Sequence, residues 1–169
     1  VLKMVIGGAD KFIKKIDNKI EIKNKKIRKY VLNKEQILAL KFLEKVENKF
    51  DVSVLQGTTG SGKTLVYFER LKKIIKKNKQ ALVLLPEIFL TNDFKSRFED
   101  FFGFEPAIWH SKVTPKQKRI IWKGIIKNEI KIIVGARSAL LLPFKKLGII
   151  VVDEEHDASY KQDEGVIYN

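Results

Sequence analysis

Apolar and polar positions along this chain change period repeatedly, and the changes outline alternating strands and helices. Lys19-Ile20-Glu21-Ile22-Lys23 alternates as a short strand does, and the basic run Lys23-Asn24-Lys25-Lys26-Ile27-Arg28-Lys29 follows it. Asn33, with Gln36 three residues on, marks a helix start, and Ile37, Leu40, Phe42, Leu43 and Val46 supply its apolar face. Val52-Ser53-Val54-Leu55 reads as a short strand. A helix from Lys63 to Lys77 follows, and its Lys72, Lys73, Lys76 and Lys77 form a solvated end that complements the helix dipole. Ala81-Leu82-Val83-Leu84-Leu85 predicts a buried strand ended by Pro86, Ile88 to Phe102 a helix, and Ala107-Ile108-Trp109 a third strand. Thr114-Pro115-Lys116-Gln117 combines a cap, a proline at the first helical position and a capping-box glutamine, and Ile120, Ile121, Ile125 and Ile126 predict the buried face of that helix. Ile130 to Val134 and Ile149 to Val152 are a fourth and a fifth strand. Strands apolar on both faces, alternating with helices, predict an α/β fold: a parallel sheet flanked by helices.

Two polar insertions into this pattern carry chemistry. Gly57-Thr58-Thr59-Gly60-Ser61-Gly62-Lys63-Thr64 fits G-x-x-x-x-G-K-[ST] and stands between a strand and a helix, the context that phosphate binding requires. Gly57, Gly60 and Gly62 let the backbone curl so that the N–H groups of the loop, those of Thr58, Thr59 and Ser61 included, turn inward around phosphate. The helix start behind them faces the anion. Lys63 would reach the β- and γ-phosphate oxygens, and the Thr64 hydroxyl would sit on Mg²⁺. The second insertion, Asp153-Glu154-Glu155-His156, ends the apolar run Leu147-Gly148-Ile149-Ile150-Val151-Val152. Ligands of open α/β sheets bind beyond the carboxyl ends of strands, so Asp153 is placed to hold Mg²⁺ and Glu154 to polarise the attacking water as general base. Lys63, Asp153 and Glu154 are the candidate catalytic residues of an NTP hydrolase.

Other residues keep two readings. Gln36 either caps its helix or offers its amide to adenine N6 and N7, and its place ahead of the phosphate loop favours adenine. His156 has no His or Cys partner at metal-ligand spacing, which favours a coupling hydrogen bond near the γ-phosphate. His110 is read as a core or surface histidine.

Composition adds a partner and excludes some classes. The 169 residues, 44% of them hydrophobic, suffice for one domain with its own core. No apolar run approaches the roughly 18 residues of a membrane helix. The first ten residues are too short and broken for a signal peptide. Without cysteine there is no disulfide, thiolate zinc site or cysteine nucleophile, and a cytoplasmic protein is the simplest reading. The net charge of +14 points either to nucleic acid or to lysine-rich compositional drift. The chain starts at Val1 and stops at Asn169 soon after the acidic motif, so both ends are expected to be cut.

The phosphate loop and the acidic motif together resemble superfamily 2 helicases of the DExH kind. The likeness narrows to the PriA-type primosomal helicases (primosomal protein N′) on Gly57 to Tyr67, Leu82 to Thr91, Trp109-His110-Ser111, Gly135-Ala136-Arg137-Ser138-Ala139 and Asp153 to Gln162. Leu32-Asn33-Lys34-Glu35-Gln36 resembles the family's adenine-contacting segment. The resemblance covers roughly residues 31–169, a RecA-like ATP-binding lobe; residues 1–30, rich in Lys, Ile and Asn, read as a linker or the tail of a preceding domain, with an exposed edge of the same domain the alternative. It implies ATP and Mg²⁺ as cofactors. It implies 3′ to 5′ movement on single-stranded or forked DNA in replication restart and primosome assembly, with replication-restart proteins as partners. DNA-backbone contacts would come from Pro86 to Thr91 and Gly135 to Ser138, with Thr91, Arg137 and Ser138 as phosphate ligands; for Arg137 a structural salt bridge is the alternative. His156, Tyr160 and Lys161 would couple DNA engagement to hydrolysis, with a plain surface loop the other reading of Tyr160 and Lys161.

The chain also departs from the family. Leu65 stands where an acidic residue is usual, and Ile167 and Asn169 replace an Arg and a His of the distal coupling loop. The family's zinc-binding cysteines, N-terminal DNA-binding domain and second helicase lobe are not in this chain. Neither is the strand that usually lies between the phosphate-loop strand and the acidic-motif strand. The lobe is therefore expected to be incomplete at its C-terminus, with exposed strand edges, low stability alone and, without the second lobe's arginine finger, weak ATP binding and slow hydrolysis by itself. A truncated nucleic-acid-binding remnant, or another DExH translocase of the RecG or restriction kind, are the alternative readings.

Overall fold

Gln80–Leu84 forms β1, and every one of its side chains is buried. It lies inside a four-stranded parallel sheet of order β2-β3-β1-β4, where β2 is Ala107–Trp109, β3 Ile132–Gly135 and β4 Leu147–Val152. A computed structural model describes residues 30–45 and 50–160 of the chain. The helices are α1 (Lys34–Lys45), α2 (Lys63–Lys76), α3 (Asn92–Phe102) and α4 (Pro115–Ile126). Single 3-10 turns occupy Glu87–Phe89, Arg137–Leu141 and Ala158–Tyr160.

The period of two along the strands divides the core into two layers. Ala81, Val83, Ile132 and Val134 point to one face, where α2 brings Tyr67, Phe68, Leu71 and Ile74 and α3 brings Phe94, Phe98 and Phe101. Leu82, Leu84 and Ile133 point to the other, against Ile121 and Ile125 of α4 and against Ala139 and Leu142. The spacing of Phe94, Phe98 and Phe101 is the stripe of an amphipathic helix, and Phe68 meets Phe98 edge-on with centroids 5.5 Å apart. Gly135 closes β3 because a Cβ there would lie 2.3 Å from the Trp109 carbonyl oxygen. Only glycine lets β2 approach this closely.

One buried polar side chain ties the layers together. Gln80 is wholly buried. Its amide nitrogen donates to the carbonyls of Ile125 (3.0 Å) and Ile130 (2.9 Å), and its amide oxygen accepts from the N–H groups of Lys145 (2.9 Å) and Lys146 (3.0 Å). Both donors and both lone pairs are used, which is what a buried amide requires. It joins the end of α4 and the loops before β3 and β4 to the central strand.

Several sequence expectations shift. Val52 to Leu55 is outside the sheet, and Val52 and Val54 are exposed. Strand propensity makes no ladder without a neighbouring strand, and none lies beside it among the described residues. β4 is consequently an edge. Ile149 and Val151 pack on the phenylalanine layer, but Ile150 and Val152 are about half exposed because α4 does not reach them. The expected Ile88 to Phe102 helix is two elements: a 3-10 turn, then α3, whose start is set by the Thr91 hydroxyl accepting from Phe94 N–H. The isoleucine face of α4 is narrower than expected, with Ile121 and Ile125 buried and Ile126 exposed. On α1 only Leu40 is buried, while Phe42 is exposed. The lysine end of α2 is partly engaged, Lys73 pairing with Glu44 and Lys72 lying 5.2 Å from the Phe101 ring centre. The strand and basic run expected before residue 30, Val46, and Lys161 onward lie outside the described residues.

The cap of α4 is as read: Thr114 accepts from Gln117 N–H and Gln117 reaches back to the Thr114 N–H. Thr114→Ala is expected to lower stability by about 1 kcal/mol. A fall in the urea midpoint at unchanged slope would report it, and an unmoved midpoint would count against a cap that matters.

Candidate active site

All four strands run parallel, so their carboxyl ends share one edge of the sheet. Leu84 is level with Gly135 on one side and Val152 on the other. The segments following β1, β3 and β4 therefore emerge together, and the phosphate loop joins them through α2.

The loop is shaped by its own backbone. Ser61 N–H donates to the Thr58 carbonyl at 3.1 Å, and Gly60 and Gly62 sit at φ 82°, in the left-handed region that glycine adopts without strain. Gly62 caps α2 without a side chain, which leaves the first N–H groups of the helix facing outward for an anion. The Lys63 ammonium folds back onto the carbonyls of Gly57 (2.5 Å) and Thr58 (3.1 Å). Gln36 does two things at once. With Asn33 it forms the capping box of α1, and its amide nitrogen donates to the Ser61 carbonyl at 3.0 Å. A Cβ on Gly62 would meet that amide at 2.4 Å. The adenine candidate thus lies against the phosphate loop, with both ends of its amide bonded to protein.

Asp153 continues the β4 ladder, its N–H donating to Leu84 O at 3.0 Å. Its carboxylate is held at both oxygens. Oδ1 accepts from Glu154 N–H (3.0 Å) and Oδ2 from the Tyr67 hydroxyl (2.9 Å), while the Tyr160 hydroxyl donates to the Asp153 carbonyl at 3.0 Å. Burial, and then the Asp153 charge, push the Tyr67 phenol well above its ordinary value; a hydrogen bond with Thr64 acts the other way. Burial and nearby carboxylates push Tyr160 up to about 12. Glu154 turns away at φ 53°, a left-handed conformation that costs a non-glycine residue on the order of 1 kcal/mol and is concentrated at functional sites. His156 Nε2 lies 3.5 Å from the Glu154 carboxylate and is otherwise open to solvent.

Beside this site is a cleft of about 520 Å³ lined by Pro86, Glu87, Arg137, Ser138, Asp157 and Tyr160, among others. Arg137 donates to the Tyr160 carbonyl at 3.4 Å, so the expected phosphate ligand and the expected coupling residue touch. Thr91 does not line the cleft; its hydroxyl oxygen caps α3. Glu87 accepts from the Ser111 N–H (3.2 Å) and hydroxyl (2.9 Å), which hold its carboxyl below the ordinary range. That contact is complete at neutral pH and weakens as pH falls through the lowered value.

The Tyr67–Asp153 and Glu87–Ser111 contacts are the ones the sequence did not announce, although Glu87 falls within the Pro86 to Thr91 segment. Tyr67 had a legible signal: it lies three positions after Thr64, on the same helical face. Glu87 had none, since its partner Ser111 is distant in sequence.

A phosphate loop on a parallel sheet, with an acidic strand end bonded to its helix, defines a P-loop NTPase lobe. The sequence profile of the DEAD/DEAH box helicase family matches residues 24–169, and the chain belongs to that family. It is 44% identical over 171 residues to the replication restart protein PriA of Rickettsia felis, a match covering 97% of this chain and 26% of that relative. It is 43% identical over 139 residues to the Helicobacter pylori protein of the same name, covering 82% of this chain and 22% of that one. To that of Bacillus subtilis it is 46% identical over 113 residues, covering 67% and 14%. The chain thus spans about a quarter or less of the curated relatives it matches. Among the described residues no helix is long and apolar enough to cross a membrane.

Proposed function

We propose that residues 31–169 are the ATP-binding lobe of a DNA helicase that acts in replication restart. In this reading it hydrolyses ATP and moves 3′ to 5′ along single-stranded or forked DNA in the cytoplasm, with replication-restart proteins as partners. The observation that carries the reading is the Tyr67 hydroxyl bonded to Asp153, which joins the phosphate-loop helix to the acidic strand end. The likeness to PriA proteins over most of the chain supports DNA as the track.

In the site, the N–H groups of Gly60 to Thr64 and the Lys63 ammonium bind the β- and γ-phosphates once Lys63 leaves the loop carbonyls. Gln36 would read adenine by giving up its amide bonds to Asn33 and Ser61. Thr64 on α2 and Asp153, which the Tyr67 hydroxyl ties to that helix, offer hard oxygen donors, a donor set that fits Mg²⁺. The metal, when bound, neutralises charge on the phosphate oxygens. Glu154 orients and deprotonates water, and His156 steers its carboxylate. DNA phosphates meet Arg137 and Ser138 in the cleft and Thr91 at the start of α3, and Tyr160 passes the contact to Asp153.

ATP hydrolysis measured with and without single-stranded DNA tests this. DNA is expected to stimulate turnover, and Arg137→Ala to raise the half-stimulating DNA concentration by about 10-fold, the worth of one charged contact at roughly 1.4 kcal/mol. Salt-sensitive DNA binding with no stimulated hydrolysis would refute the reading.

A further inference from the structure

We propose that Tyr67 is a positioning residue for the metal: its hydroxyl fixes the two oxygen ligands, Thr64 on α2 and Asp153 at the end of β4, relative to each other. The proposal rests on the nucleotide-hydrolysing role proposed above for this site.

Packing explains the ring but not the hydroxyl. Tyr67 is buried in the layer built from Phe68, Phe94, Phe98 and Phe101, and its ring meets Phe68 edge-on at 5.1 Å. Every other buried aromatic there is phenylalanine, and phenylalanine would fill the same space at position 67. A buried hydroxyl destabilises unless it is bonded, so the oxygen is retained for what it touches. It touches Asp153 Oδ2 at 2.9 Å, and it stands on α2 three residues after Thr64, on the same face of that helix.

The geometry suits positioning rather than ligation. Asp153 Oδ1 is held by the adjacent Glu154 N–H, a local bond that moves with the chain. The Tyr67 bond links residues distant in sequence and ties the carboxylate to another element. Each carboxylate oxygen accepts one of these bonds, and each keeps a lone pair for a cation. With Tyr67 in place the rotation of the Asp153 carboxylate and its separation from Thr64 are set before any ligand arrives. Groups that orient metal ligands in this way typically carry 10–100-fold of metal affinity or activity.

Tyr67→Phe removes the hydroxyl alone. Affinity for a fluorescent ATP analogue would be measured in excess EDTA and across a Mg²⁺ titration, for the unmodified protein, Tyr67→Phe and Lys63→Ala. In Tyr67→Phe the half-saturating Mg²⁺ concentration is expected to rise about 10-fold, and the gain in affinity on adding Mg²⁺ to shrink accordingly. An unchanged Mg²⁺ requirement overturns the proposal. So does equal weakening with and without Mg²⁺, which is what loss of packing produces. Lys63→Ala keeps the two readings apart: if it binds the analogue in EDTA as tightly as the unmodified protein, the nucleotide site itself is refuted, and the role of Tyr67 with it.

Discussion

Glu154→Gln is expected to lower ATP turnover by about 10²–10⁴-fold, the usual worth of a positioned general base, while nucleotide binding persists. The amide keeps the shape of the side chain and its place at φ 53°, so the acidic turn stays formed, but it accepts no proton from water. Lys63→Ala is expected to fail earlier, at binding. It removes the one cation of the Gly57 to Thr64 loop, whose ammonium is already gathered onto the Gly57 and Thr58 carbonyls. Losing one preorganised charge of this kind costs on the order of 10²–10³ in rate. Phosphate release at saturating ATP, beside direct nucleotide binding, separates the two. Turnover that survives Glu154→Gln within about 10-fold would remove Glu154 from the role of base.

Gln80→Leu is expected to destabilise the lobe by about 3–5 kcal/mol, a large part of the roughly 5–15 kcal/mol available to a domain. The volume is nearly kept, so the loss is polar. Without the amide, the Lys145 and Lys146 N–H groups and the Ile130 carbonyl lose their bonds to it in the interior. Ile125 O is spared in part, because it also accepts from Asn128 N–H. Gln80→Glu is expected to be at least as damaging, since a buried carboxylate would face the Ile125 and Ile130 carbonyls with no donor to offer them. Urea unfolding of both variants checks this. Midpoints within about 0.5 kcal/mol of the unmodified protein, the range of an ordinary surface change, would show that water satisfies those groups.

Much of this fold was legible because it depends on local rules. The caps at Asn33 and Thr114, the apolar runs of β1 and β3 and the glycines of the phosphate loop each follow from backbone sterics or short-range hydrogen bonding, and they stand where the pattern placed them. Boundaries moved where a side chain competed for the backbone, as Thr91 did in delaying α3 to Asn92. Exposure was harder. Ile126, Phe42 and Ile150 are as apolar as their buried neighbours, and only the placement of other elements leaves them uncovered. Val52 to Leu55 failed as a strand for the same reason: pairing belongs to two segments, not one.

The candidate site divides along that line too. By itself the sequence determined the chemistry on offer: a glycine loop with Lys63 and Thr64, and an acidic pair, Asp153 and Glu154, at the end of an apolar run. Spacing along one chain suffices for that, because the loop and the strand end each carry their function locally. Only the tertiary structure decided how the parts meet. The parallel register brings the ends of β1, β3 and β4 to one edge, Tyr67 carries α2 to Asp153, Arg137 reaches Tyr160, Ser111 reaches Glu87, and Gln36 rests on the phosphate loop. Each of these is a contact of a few ångströms between distant residues, fixed by how strands pair and helices cover them, and no local pattern encodes it.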